Sequence, residues 1–350
     1  MDAKMGKVMT KLMGGEKLET GESAALFDAV IRGDLSDVEI AALLVALKMR
    51  GETAEEIAGA ALALREGARA FPRPDYLFAD IVGTGGDGAN TINISSAVTF
   101  IAAEAGLPVA KHGNRSVSSR CGAADLLEQF GVKLDMSPTR ARKLLDDLRV
   151  TFLFAPHYHT GFKHAMPVRK ALATRTVFNV LGPLINPARP PIMLVGVYEA
   201  QLCGLVAETL HLLGCQRALV VHGLGLDEIA THGATNTAEL QNGEIVERRF
   251  TPLDFGVREF PLSSIVGGTP AENEIAIRAV LGGQGMEAHS AAIAVNAAAL
   301  LTLGGVTGNY KDGFALAMSI LKSGKALERL EKFAELSNIP EEGEIDRVCA

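Results

Sequence analysis

The sequence has no excess of basic residues. Its 34 lysines and arginines stand against 41 aspartates and glutamates, a formal net charge of −7. A broad nucleic-acid footprint needs the opposite balance, so the charge argues against that class of partner. Cysteine is scarce: Cys121, Cys203, Cys215 and Cys349 show neither CxxC spacing nor the companion histidines of a zinc site. They read as idle thiols in a reducing compartment. Long apolar runs are missing too. The best candidate for a membrane span, residues 291–303, is too short and carries Asn296. At the N-terminus Met5, Val8, Met9 and Leu12 share one face of an amphipathic helix, with no apolar run ending in a cleavage site. That pattern is not a signal peptide. Tryptophan is absent, and no internal repeat or low-complexity tract interrupts the chain. These absences leave a soluble, cytoplasmic protein with no membrane and no nucleic acid among its partners.

Glycine, by contrast, is plentiful at 37, which favours an α/β chain with many tight strand-to-helix turns. Residues 1 to about 70 read as helices only. Ser36-Asp37-Val38-Glu39 and Thr53-Ala54-Glu55-Glu56 are capping boxes, and each opens a helix. Phe71-Pro72-Arg73-Pro74 breaks the pattern and marks a domain crossing. Strands are then expected at 78–82, 108–110, 152–155, 192–197 and 217–222, alternating with helices, which implies a mostly parallel sheet. Residues 238–240 and 244–249 read as antiparallel additions, and 160–185 as an irregular or helical stretch that packs partly on the N-terminal helices. Thr269-Pro270-Ala271-Glu272 is a further capping box, and helices dominate the C-terminal third.

Four motifs carry chemistry. Gly83-Thr84-Gly85-Gly86-Asp87-Gly88 follows a strand, and three of its first four residues lack a Cβ, so the backbone can turn sharply and approach a ligand. Thr91-Ile92-Asn93-Ile94-Ser95-Ser96 then opens a helix whose N-terminus suits an anion. The glycine spacing matches neither a Walker A loop nor a dinucleotide fingerprint. The second motif runs from Lys111 to Ser119 and places two cations, an imidazole, an amide and several hydroxyls after a strand, between apolar flanks. Open α/β sheets bind ligands at that end of their strands. The third, Asp227-Glu228, offers adjacent carboxylates of the kind that bridge magnesium to substrate phosphates; alone, such a pair is more often the acidic first turn of a helix. The fourth is Arg169, suited to clamp a carboxylate, upstream of the run from Arg175 to Ala188.

Together, Gly-Thr-Gly-Gly-Asp, Asn-Ile-Ser-Ser, Lys-His-Gly-Asn-Arg, Asp-Glu and Arg-Thr-Val-Phe-Asn-Val-Leu-Gly-Pro-Leu-Ile-Asn-Pro-Ala resemble the anthranilate phosphoribosyltransferase family of tryptophan biosynthesis, over nearly the whole chain. The resemblance implies a small all-helical N-terminal domain joined to a large α/β domain with a central, mostly parallel sheet. The helical domain would cover 1–74 with a returning segment at about 165–188, and the α/β domain 75–164 and 189–350. It also implies a homodimer formed through the helical domain.

Carried onto this sequence, the resemblance implies that phosphoribosyl pyrophosphate is held by Gly83, Gly85, Gly86, Asp87, Thr91, Asn93, Ile94, Ser95, Ser96 and Ala123, together with Lys111, His112, Gly113, Asn114, Arg115, Ser116, Val117, Ser118 and Ser119. Anthranilate would meet Gly83, His112, Asn114 and Arg169. Magnesium would be held by Ser95, Asp227 and Glu228, and Lys111, Asp227 and Glu228 would carry the catalysis. Two places depart from the family pattern. The run from His157 to His164 replaces a His-Pro-Ala-Met-Lys-like segment, and Ala123 stands where serine is common. The alternatives are a pyrimidine nucleoside phosphorylase of the same fold, which usually carries Lys-His-Ser-Thr-Gly-Gly, and a non-catalytic nucleic-acid-binding paralogue, which tends to be basic.

Overall fold

The computed structural model describes residues 3–116 and 119–340, with side chains from residue 5 onward. Val117, Ser118 and Cys349 lie outside the described residues. Capping chemistry sets the N-terminal helices: α1 (Ala3–Met13), α2 (Thr20–Arg32), α3 (Asp37–Arg50) and α4 (Ala54–Glu66). At α3 the Glu39 carboxylate accepts from the Ser36 N–H at 2.8 Å, and the Ser36 hydroxyl accepts from the Glu39 N–H. Thr53 and Glu56 form the same reciprocal pair at α4. Glu56 is buried; its second oxygen accepts from the Leu18 N–H at 2.7 Å, and Arg50 pairs with it. One capping residue therefore also ties α4 to the chain ahead of α2.

Beyond the proline breaker the chain alternates: β1 (Ala79–Gly83), α5 (Ile94–Glu104), β2 (Val109–Gly113), α6 (Ala123–Gln129), α7 (Pro138–Leu148), β3 (Val150–Phe154), α8 (Ala155–Tyr158), α9 (Met166–Leu172), α10 (Phe178–Leu184), β4 (Ile192–Gly196), α11 (Leu202–Leu212) and β5 (Arg217–His222). The hairpin β6 (Thr235–Gln241) and β7 (Glu244–Phe250) follows, then α12 (Pro270–Leu281), α13 (Glu287–Leu303), α14 (Tyr310–Ser323) and α15 (Lys325–Ser337). The sheet order is β3-β2-β1-β4-β5-β6-β7, parallel from β3 to β5 and antiparallel in the last two pairings. Both faces of the parallel part are covered, which explains the near-continuous apolar strands. Ile81, Leu194, Leu219 and Val221 face a core built with α5 and α13, while Met193, Val195, Ala218 and Val220 face a second core shared with the N-terminal helices. Among the described residues no helix is long and apolar enough to cross a membrane.

One expectation needs correction. The apolar run 108–110 puts Lys111, His112 and Gly113 beyond the end of their strand, but they are its last three residues, paired with Phe152, Leu153 and Phe154 of β3. Polar side chains at this point mark the ligand-facing edge of a parallel sheet, not the end of its pairing. Asp227-Glu228 does not open a helix. The pair lies in an irregular turn between β5 and β6.

The stretch from α8 to α10 leaves the sheet and packs against the N-terminal helices. Phe178 meets Phe27 edge to face with ring centroids 5.8 Å apart, and the Arg65 Nε–H donates to the Leu184 carbonyl at 2.7 Å. Gly33, which closes α2 with φ 79°, lies so close to His164 that a Cβ there would come within 2.8 Å of the ring.

Candidate active site

The site begins with two glycines. β1 and β4 pair so that Gly83 faces Gly196 at their C-terminal ends. With no side chain on either, the Asp227 backbone lies directly over the sheet edge. A Cβ on Gly196 would come 1.6 Å from the Asp227 carbonyl oxygen, and one on Gly83 would come 2.2 Å from its carboxylate. The Asp227 carboxylate then accepts from the Gly85 N–H at 2.6 Å, and its own N–H leans toward Asp87 at 3.4 Å. The acidic turn and the glycine loop thus close on each other. Thr91 forms a bridge with Val266, which pins the far side of the loop.

Lys111 enters from β2. It is buried, and its ammonium donates to the Ile81 carbonyl at 2.6 Å and to the Ser95 hydroxyl at 3.1 Å. The Ser95 backbone N–H lies toward the Glu228 carboxyl and favours its charged form. Gly85, Lys111, Ser95 and the acid pair therefore share one corner. Burial draws the Lys111 pKa down, and Asp80, Glu228 and Asp227 oppose it. Burial pushes Asp227 up to about 7, with repulsion from Asp87 adding to it. Glu228 is raised for the same reasons, burial first and Asp227 second. The corner holds more negative charge than Lys111 balances. Among the described residues, no three histidine, cysteine or acidic side chains are placed to hold a metal on their own.

Three buried asparagines brace this corner. Asn296 of α13 accepts from the Ile229 N–H at 2.9 Å and donates to the Ile229 carbonyl at 3.2 Å, fixing the backbone next to Glu228. Asn273 of α12 donates to the Asn93 side chain at 2.7 Å and accepts from the Gly268 N–H at 2.7 Å. Asn186 donates to Asp80 at 2.9 Å and to the Ala110 carbonyl at 2.8 Å, and the free oxygen of Asp80 faces the His112 N–H at 3.4 Å. Burial lifts Asp80 to about 6, against the pull of Lys111 and Asn186.

The described part of the loop after β2 is tied to itself and to α6. Asp125 of α6 accepts from the Ser116 and Gly122 N–H groups, both at 2.9 Å, and the Ala124 N–H donates to the Asn114 carbonyl at 3.1 Å. Arg115 pairs with Asp125 and Glu128, and the hydroxyls of Ser116 and Ser119 are 2.9 Å apart. Asn114 is exposed. Ala123 is the first residue of α6, and Ile94 and Ser96 are buried; Ser96 sits beside Thr99, Phe100 and Leu127 with its hydroxyl unpartnered. Ser95 thus faces the shared corner while Ser96 faces the core.

Arg169 joins the site through a run of rings. His112 meets His159 at 5.2 Å, His159 meets Phe162 at 5.9 Å, Phe162 meets Phe178 at 5.5 Å, and the Arg169 guanidinium lies 5.1 Å from the Phe178 ring centre. Among the described residues Arg169 has no acidic partner, and burial alone lowers its pKa. An arginine half-withdrawn from water without a carboxylate is ready to receive one.

Both histidines are buried and held neutral. Burial depresses His159 to about 4 and His112 well below its ordinary value. Neither ring nitrogen of His159 makes a well-formed hydrogen bond, although the Leu64 and Ile185 carbonyls lie close. In the unfolded chain these rings titrate near 6.5, so the unfolded state binds more protons below that pH. Each ring therefore withdraws up to ~1.4 kcal/mol per pH unit as pH falls from about 6.5 toward 4, while Asp80, Asp227 and Glu228, raised by burial, act in the opposite sense over that range. Chemical denaturation of the parent and of His159→Phe isolates one ring: below about pH 6.5 the slope of stability with pH should differ between them by up to ~1.4 kcal/mol per pH unit. A slope unchanged in that variant would contradict the assignment.

Comparison with known proteins settles the family. Residues 7–68 match the model described as "Glycosyl transferase family, helical bundle domain", and residues 75–327 the model described as "Glycosyl transferase family, a/b domain". The anthranilate phosphoribosyltransferase of Pectobacterium carotovorum is 56% identical over 326 residues, 93% of this chain and 92% of that protein. The Yersinia pestis enzyme is 55% identical, covering 94% of this chain and 99% of its own length. The chain belongs to the anthranilate phosphoribosyltransferase family. The Thermus thermophilus anthranilate phosphoribosyltransferase superposes with a TM-score of 0.90 at 41% identity, covering 94% of this chain and 99% of its own. The Saccharomyces cerevisiae enzyme, solved in complex with phosphoribosyl pyrophosphate and magnesium, superposes with a TM-score of 0.87 at 29% identity, covering 96% of this chain and 98% of that one. The activity of the chain is accordingly that of an anthranilate phosphoribosyltransferase in tryptophan biosynthesis.

Several residues that shape this phosphoribosyltransferase site escaped the sequence reading. Asp80 showed only as a polar interruption in an apolar strand, and Asn296 only as an obstacle to a membrane span. Asp125 stands in a motif whose visible departure is Ala123. Their signal was an isolated polar residue inside an apolar run, which becomes informative only once its partner is known.

Proposed function

We propose that phosphoribosyl pyrophosphate lies between the glycine loop, the start of α5 and the Lys111–Ser119 loop, with its diphosphate toward the Asp227-Glu228 corner. Anthranilate lies on the side of His112, Asn114 and Arg169. The observation that carries this reading is the convergence of Gly85, Ser95, Lys111, Asp227 and Glu228 on one corner. Magnesium fits that corner. Asp87 stands beside Asp227 and Glu228, Lys111 opposes the three, and the two of the acid pair are pushed toward their neutral forms. A hard cation shared with substrate phosphates suits such a donor set. Asp227, Glu228 and Ser95 would hold it, and it would supply charge neutralisation on the departing pyrophosphate.

The chain's own groups do the rest. The amine of anthranilate is already unprotonated at neutral pH, so breaking the bond from C1 to pyrophosphate is the harder task. The loop N–H groups and Lys111 stabilise the negative charge that develops on the leaving group. Arg169 and Asn114 place the amine within reach of the ribosyl carbon. Closure of the helical unit, 1–74 with 165–188, over the rest of the chain excludes water that would otherwise hydrolyse the activated sugar. Two chains pair through the helical unit, where Val38, Val45 and Met49 expose apolar side chains along one face of α3. A solution mass of one chain would contradict that pairing. Free Cys121, Cys203 and Cys215 suit the reducing cytoplasm.

Mixing the protein with anthranilate, phosphoribosyl pyrophosphate and magnesium should extinguish anthranilate fluorescence, and omitting magnesium should stop the loss. Arg169→Ala should raise the KM for anthranilate about tenfold or more while leaving that for phosphoribosyl pyrophosphate nearly unchanged, because a charge-assisted pair to the carboxylate is lost. Equal effects on both substrates would remove Arg169 from the anthranilate side.

A further inference from the structure

The glycine loop is held from outside by a residue that the chemistry above does not use. Arg175 lies in the linker between α9 and α10. Its guanidinium donates to the Gly86 carbonyl at 2.6 Å, pairs with Glu199 at 3.0 Å and stacks on Tyr198 with 4.0 Å to the ring centre. The Tyr198 N–H donates to the Thr84 hydroxyl at 3.1 Å, so the platform under Arg175 is tied to the same loop. At its other end the linker is tied to the helical bundle: Lys48 of α3 donates to the Thr174 hydroxyl. Five residues separate Arg169 from Arg175 along the chain.

These contacts matter because of what they hold. Gly85 and Gly86 both have positive φ, 66° and 75°, so neither side chain nor sterics fixes their peptide planes. In a trans peptide the carbonyl and the following N–H point in opposite directions. A clamp on the Gly86 carbonyl therefore decides where the Asp87 N–H is aimed. The clamp is a charged fork seated on a ring, which is stiffer than a single lysine would be.

We propose that Arg175 is a positioning residue that sets the glycine loop for phosphoribosyl pyrophosphate and links the seating of anthranilate at Arg169 to that loop. The proposal rests on the reading that this loop receives the diphosphate. Arg175 makes the link because it joins the linker to Gly86 on one side while Thr174 joins it to α3 on the other. Its side chain is about half exposed, at 46%, so replacing it opens no core.

The full-length enzyme carrying Arg175→Gln tests this. The KM for phosphoribosyl pyrophosphate is expected to rise about tenfold, as for a lost charge-assisted hydrogen bond that organises a binding loop. The KM for anthranilate is expected to change less than about twofold at low phosphoribosyl pyrophosphate, and at saturating phosphoribosyl pyrophosphate to rise only by the factor of coupling that is lost. In the parent enzyme, saturating anthranilate should lower the KM for phosphoribosyl pyrophosphate, and the variant should lose that dependence. Arg175→Lys should recover only part of either effect. Thr174→Val cuts the tie to α3 and leaves the Gly86 bond, so it should keep the KM for phosphoribosyl pyrophosphate measured at low anthranilate and lose the dependence. An unchanged KM for phosphoribosyl pyrophosphate in Arg175→Gln, or an intact dependence in Thr174→Val, would overturn the inference. Asp227→Asn with Glu228→Gln, titrated alongside, separates the two failures. If that variant loses phosphoribosyl pyrophosphate and Arg175→Gln does not, only the role of Arg175 falls. If neither responds, the reading of the loop falls with it.

Discussion

Asp227→Asn combined with Glu228→Gln is expected to reduce turnover by about a hundredfold or more at saturating substrates, since electrostatic stabilisation of a leaving group is typically worth that much. The substitution keeps size and shape. The amide introduced at position 227 can still accept from the Gly85 N–H through its carbonyl oxygen, so the turn that seats the pair should persist. What disappears is the negative charge that attracts a divalent cation. The expected signature is therefore specific: the rate should no longer saturate at ordinary magnesium concentrations, while thermal stability stays the same or rises. The physical ground for a rise is that burial and mutual repulsion push both carboxyls upward in the folded protein. Removing them relieves repulsion at the corner. Steady-state rates measured against magnesium, with a melting curve on the same sample, check both halves. A normal magnesium response in the variant would remove the acid pair from metal binding.

Gly196→Ala should be nearly as damaging, although residue 196 presents no functional group. The added Cβ would stand 1.6 Å from the Asp227 carbonyl oxygen, and that neighbour is backbone, not the tip of a flexible side chain. Either β4 or the acidic turn must shift. The turn is the softer of the two, since β4 is hydrogen-bonded to a strand on each side. Displacing the turn by even ~1 Å misaligns the charged pair, and misplacement of that size can cost about a hundredfold in rate. The fold itself should survive with a modest loss of stability, because β4, which carries residues of both cores, keeps its pairing on each side. Activity and circular dichroism measured together check this. A variant with full activity would mean that the turn does not need its position over the sheet.

Much of this architecture was legible in the sequence because the responsible forces are local. The capping boxes at Ser36, Thr53 and Thr269 depend on residues three apart, and each opens the helix it announced. The buried strands were visible as apolar runs, since a parallel sheet covered on both faces leaves no polar alternation. The glycine loop declared itself because conformational freedom is a property of the residue. The rest depends on contacts that span the chain. Asn296 acts 67 residues from Ile229, Asn186 acts 106 residues from Asp80, and Asn273 acts 180 residues from Asn93. No pattern within a window of sequence predicts such pairs. The end of β2 was misjudged for a related reason: Lys111 and His112 look like loop residues until β3 is laid beside them.

The position of the bound diphosphate is the most direct test of the whole account. Crystals grown with phosphoribosyl pyrophosphate and magnesium should show the diphosphate between the Gly83–Ser96 segment and Lys111, joined through metal to Asp227 and Glu228. A diphosphate bound elsewhere, or an acid pair with no metal between it and the phosphates, would contradict it.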